Sequence, residues 1–135
     1  MDFNLTEEQR ALQEQARTFA RNELAAVARE MEASNEPLSK AWKRRLGEMG
    51  FLGINVASAY GGMGLGSLEA LLVLEEFAKV HPAVAFPIFE SCVGPVKAIE
   101  RFAPEALRQK VLPAVCKGEK VVAVAMSEPS AGTAL

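Results

Sequence analysis

The last stretch of this sequence cannot fold by itself. Val121-Val122-Ala123-Val124-Ala125 is a mainly β-branched, wholly apolar run, and Ser127-Glu128-Pro129-Ser130-Ala131-Gly132-Thr133 follows it, the pattern of a buried strand and a tight polar turn. A lone strand leaves its backbone donors and acceptors unmatched. Everything before residue 121 reads as helix, so the strand's partners are expected beyond Leu135, and the sequence is expected to be the front part of a longer polypeptide.

The helices are punctuated clearly. Thr6 and Gln9 have capping-box spacing, and Leu12, Ala16, Phe19, Ala20 and Val27 recur at helical intervals behind them, which predicts a long amphipathic first helix. Ser34-Asn35-Glu36-Pro37 ends it. A second helix is expected from Ser39, with Trp42, Leu46 and Met49 on one edge and Gly50 closing it. Trp42 reads as a core anchor rather than a ligand contact. After the glycine-rich segment Tyr60–Gly66, Ser67 is the expected cap of a helix with Leu68, Leu71, Leu72, Val73, Leu74 and Phe77, apolar on more than one face and so central. Pro82 and Pro87 bracket the start of another, with Phe86, Phe89, Val93 and Val96 on one side and a split at Gly94-Pro95. Pro104 opens a last helix, kinked near Pro113 and closed by Gly118. The fold class expected is all-α: a domain of about six helices over 1–118, then the first strand of a truncated β domain over 119–135.

Composition narrows the function. A formal charge of −2 on 135 residues argues against nucleic acid as a partner. Lys43-Arg44-Arg45 is the only basic run and reads as the solvated side of a helix. Cys92 and Cys116 lack metal-ligand spacing and stand among apolar residues, so packed free thiols are expected. No secretory h-region and no bilayer-length apolar run are read from the sequence, which points to a cytoplasmic, reducing location without membrane insertion.

Several motifs have a chemical and a structural reading. Tyr60-Gly61-Gly62-Met63-Gly64-Leu65-Gly66 could cradle a phosphate with backbone N–H groups, but it lacks the lysine and Ser/Thr of a P-loop and reads as a turn between helices. Glu75 and Glu76 are adjacent on a helix, so their side chains diverge by about 100° and cannot act as a paired acid and base; surface or capping charges are expected. His81 is the only histidine. Beside Pro82, and with no serine or cysteine nucleophile pattern near it, it reads as turn-stabilising.

Met126-Ser127-Glu128-Pro129-Ser130-Ala131-Gly132-Thr133 resembles the flavin-binding signature of the acyl-CoA dehydrogenase family. Leu46-Gly47-Glu48-Met49-Gly50-Phe51-Leu52-Gly53-Ile54 with Tyr60–Gly66, and Phe102–Val124 with Leu112-Pro113 and Lys117-Gly118-Glu119-Lys120, resemble the family's N-terminal helical domain in its order. The resemblance spans nearly the whole sequence but about a third of a family member. One position departs from it: members usually place an aspartate soon after the Gly-Thr or Gly-Ser pair, where Ala134 and Leu135 stand here.

The resemblance implies an FAD-dependent oxidoreductase that removes hydrogens from the α and β carbons of an acyl-CoA thioester. It implies that Val124, Ala125, Met126, Ser127, Gly132 and Thr133 line FAD, that Thr133 also faces the thioester, and that Glu90 lies near the far end of the acyl tail. Flavin needs donors at its ring edge and a close backbone approach at its pyrophosphate; the Ser127 hydroxyl and Gly132 suit both. The bland alternative is a β-turn rich in turn formers. The family's base is a glutamate of the C-terminal domain, so no residue here is assigned as base and the isolated chain is expected to be inactive. An electron-transfer protein and, for the full-length protein, a homo-oligomer are the implied partners. Acyl-CoA oxidases, flavin monooxygenases and desulfinases share the scaffold, and a non-catalytic helical interaction module is the alternative of another class.

Overall fold

The computed structural model describes residues 4–125, 127–130 and 132. Helix α1 (Glu7–Phe19) runs through a π-helical turn (Ala20–Leu24) into α2 (Ala25–Ser34); α3 (Lys40–Glu48), a 3-10 turn (Ser58–Tyr60) and α4 (Ser67–Ala78) follow. Then come α5 (Pro82–Ile88), a second π-helical turn (Phe89–Val93), α6 (Pro95–Phe102) and α7 (Glu105–Cys116). The all-α reading is correct.

The helix ends lie close to where their chemistry puts them. Thr6 Oγ1 accepts from the Gln9 N–H at 3.2 Å and the Gln9 side chain accepts from the Thr6 N–H at 3.0 Å, so two otherwise unmatched donors are satisfied reciprocally. Asn35 stops α2 in a left-handed conformation at φ +55°. Ser39 Oγ accepts from the Trp42 N–H at the start of α3, and His81 Nδ1 accepts from the Ala83 N–H at the start of α5. Two caps differ from expectation. Gly66, not Ser67, occupies the cap of α4, because the Gly66 carbonyl accepts the first helical bond, from the Ala70 N–H; Pro104 likewise caps α7, which begins at Glu105. Pro113 lies inside α7, which continues to Cys116.

Three phenylalanines from separate parts of the sequence organise the core. Phe19 on α1, Phe51 after α3 and Phe77 on α4 form a triangle with ring centroids 5.1, 6.0 and 5.1 Å apart, surrounded by Leu24, Leu46, Val73 and Ile88. Trp42 packs, partly buried, against this cluster. Val56, Val96, Leu112, Val115 and Cys116 form a second cluster that ties α6 and α7 to the loop after α3. Both cysteines are free and buried; burial pushes the Cys116 thiol up to about 11.

Helix α4 is central, as its apolar pattern implies, yet Leu68 and Leu71 on it are exposed. So are Phe86 and Phe89, which were expected on a common apolar face with the buried Val96; the π turn and the break at Gly94 separate them. The segment Pro82–Phe102 is in fact long and apolar enough to cross a membrane by length and composition, contrary to the sequence reading. It is interrupted at Gly94, and Val84, Ala85, Ile88, Cys92 and Val96 are buried within the domain, which is how a core helix of a folded protein passes the same test.

Glu76 is not a surface charge. It is 2% exposed and receives both Arg17 Nε at 3.1 Å and Nη2 at 3.2 Å, with Lys79 Nζ at 2.8 Å. The cost of burying a carboxylate is offset only by such a complete set of donors. Hydrogen bonding from Arg17 leads the influences that hold its carboxyl below the ordinary range. A carboxyl depressed in the folded state stabilises fully above the unfolded value, and that contribution is lost as pH falls through the folded value. Arg17→Met is therefore expected to destabilise by about 2–3 kcal/mol at neutral pH, since Lys79 still partners Glu76, and to lose part of its acid sensitivity. Urea unfolding of both proteins at neutral and acid pH checks this; an equal difference at the two pH values would refute it.

No strand is formed among the described residues. Val121–Ala125 follows the turn after α7 without a neighbouring ladder; Val122 packs on the second cluster while Val121 and Val124 are exposed. The run has strand-forming residues, but no described segment lies beside it to pair with.

Candidate functional site

The point where the chain leaves the helical domain is built by close backbone contact. Gly118 has φ +71°, and a Cβ there would stand 2.1 Å from the Lys43 carbonyl oxygen and 2.8 Å from the Arg44 nitrogen. On the facing helix, a Cβ on Gly47 would stand 2.5 Å from the Lys117 carbonyl carbon, and one on Gly53 2.3 Å from Cys116 Sγ. Glycine at these positions lets α3 and the following loop touch the end of α7 directly. The turn is closed by N–H bonds of Gly118 to Val115 O and of Glu119 and Lys120 to Ala114 O.

That turn directs residues 120–122 past the π turn of Phe89–Val93. Lys43, Leu52, Pro87, Glu90, Ser91, Val115, Val121 and Val122 line a crevice of about 10 Å³ here, about the space of one water. Burial raises the Glu90 carboxyl, and the Lys43 charge opposes that shift. Glu90 thus shares the crevice with Val121 and Val122, which precede the expected cofactor residues. Lys43 belongs to this crevice rather than to a solvated face, and Arg45 of the same basic run pairs with Glu23 at 3.4 Å and stacks over Phe19. Gly47 inside a helix was the sequence signal for this close approach; nothing in the pattern singled out Lys43.

Beyond the crevice the chain emerges into solvent. Val124, Ala125, Ser127 and Gly132 are exposed, and among the described residues the Ser127 hydroxyl makes no hydrogen bond. Gly132 differs from the clamp glycines: a Cβ there would meet none of the described residues within 4 Å. Among the described residues no packing contact requires glycine at 132. Met126 and Thr133 lie outside the described residues.

The glycine-rich loop is not an anion cradle. Its N–H groups are already committed: Gly61 to Ser58 O, Gly62 to Ala57 O, Met63 to Gly53 O, Gly64 to Val56 O and Leu65 to Ile54 O. The loop folds back on residues 53–58, and a Cβ on Gly62 would lie 2.2 Å from the Val56 carbonyl oxygen. It is a structural turn, as read from the sequence.

The sequence matches the family model "Acyl-CoA dehydrogenase, N-terminal domain" over residues 6–119. The chain belongs to the acyl-CoA dehydrogenase family. Among relatives, the mitochondrial isovaleryl-CoA dehydrogenase of Pongo abelii is 40% identical over 131 residues, covering 96% of this chain and 31% of that protein. The glutaryl-CoA complex of a glutaryl-coenzyme A dehydrogenase superposes with a TM-score of 0.89 at 30% identity, over 98% of this chain and 34% of that one. An acyl-CoA dehydrogenase from Bacillus anthracis complexed with FAD superposes with a TM-score of 0.83 at 27% identity, over 96% and 22%. The chain thus spans about a third or less of these acyl-CoA dehydrogenases.

Proposed function

We propose that this chain supplies the N-terminal helical domain of an FAD-dependent acyl-CoA dehydrogenase that converts an acyl-CoA thioester into its α,β-unsaturated product. The observation that carries the reading is the exposure of Ser127 and of Gly132, where a Cβ would meet none of the described residues, beyond a glycine-clamped exit from a domain of this family. Val124, Ala125, Met126, Ser127, Gly132 and Thr133 would hold FAD, which supplies a two-electron acceptor for the β-hydrogen when bound.

Within this arrangement the residues of the chain bind and orient. Ser127 would donate a hydrogen bond to the flavin, Gly132 would permit backbone approach to the pyrophosphate, and by the family resemblance Thr133 would face the thioester. By the family resemblance Glu90 would lie near the far end of the acyl tail. The buried Glu76 is consumed by Arg17 and Lys79, and Glu100 by Lys97 and the Ala57 N–H, so neither is free to take the α-proton. By the family resemblance that step would fall to a glutamate of the C-terminal domain. An electron-transfer protein would reoxidise the flavin, and exposed Leu68, Leu71, Phe86, Phe89 and Phe102 support packing by further domains or subunits of a homo-oligomer. The two free thiols suit a reducing, cytoplasmic setting.

The test is made on the full-length polypeptide that carries this domain. It is expected to purify with a visible flavin band that bleaches when an acyl-CoA is added without oxygen. Ser127→Ala is expected to raise the Kd for FAD about 3- to 10-fold, the worth of one hydrogen bond, with unchanged thermal unfolding of the apoprotein. A flavin band that no acyl-CoA bleaches would overturn the dehydrogenase assignment, and an unchanged Kd would remove Ser127 from the site.

A further inference from the structure

We draw no further inference here: the strongest candidate, the exposed apolar groove that Leu74, Ala78, Pro82, Ala85, Phe86 and Phe89 form between α4 and α5, carries nothing because nothing in the structure shows what covers it.

Discussion

Phe77→Ala is expected to destabilise the domain by about 3–5 kcal/mol, a fall of roughly 10–20 °C in Tm. Phe77 is fully buried and contacts both other rings of the triangle, stacking on Phe19 and meeting Phe51 edge-on. Those rings belong to α1 and to the loop after α3, each fixed by contacts elsewhere, so they cannot collapse into the space left behind. Both the lost transfer energy and the residual cavity then count against the folded state. Phe77→Leu restores most of the volume and is expected to cost under about 2 kcal/mol. Differential scanning calorimetry on the three proteins measures this, and an alanine variant within a few degrees of the parent would show that the triangle is not the centre of the core.

Gly118→Ala comes next, at roughly 2–5 kcal/mol. Part is conformational: a left-handed residue with a Cβ costs about 1–2 kcal/mol. The rest is steric, since the new carbon would lie 2.1 Å from the Lys43 carbonyl oxygen and 2.4 Å from its carbon, and main chain must move, at about 1–3 kcal/mol. Gly61→Ala separates the two. Gly61 has φ +84°, and a Cβ added there would meet nothing within 4 Å, so it should show the conformational cost alone. Equal destabilisation of the two variants in urea unfolding would mean that the turn after α7 yields without resistance. If it resists, Gly118→Ala should also displace residues 119–125 and weaken flavin retention in the full-length polypeptide, whereas Gly61→Ala should not.

Much of the fold is legible in the sequence, because helix boundaries are local chemistry. Thr6 with Gln9, Ser39, Asn35 and Gly118 each act on backbone groups within a few residues, and each does what its neighbours in sequence imply. Glu76 shows the limit. Beside Glu75 it has the same local pattern, and what distinguishes it is an arginine 59 residues earlier that only tertiary packing brings into place. The β-branched run forms no strand among the described residues, because strand propensity needs a partner and the expected partners lie beyond Leu135. At the candidate site, Ser127 and Gly132 read from the sequence as a polar turn and are exposed, while Glu90, placed by resemblance near the far end of the acyl tail, lies in a crevice with Val121 and Val122. The clamp was not legible, since glycine in α3 announces close approach without saying to what.

The π turn at Ala20–Leu24 has a consequence for how this domain tolerates changes of length. Within an α-helix each residue advances the azimuth by about 100°, so removing one from α1 or α2 would swing Ala16 and Phe19 out of phase with Leu24 and Ala28, all of which face the core. A π turn is one residue surplus to an otherwise regular helix. Between Ala20 and Leu24 the rod therefore holds a spare position: shortening by one there returns regular winding while the faces on either side keep their bearing. In a rod running from Glu7 to Ser34, that turn is where loss of a residue is compatible with the packing of both ends.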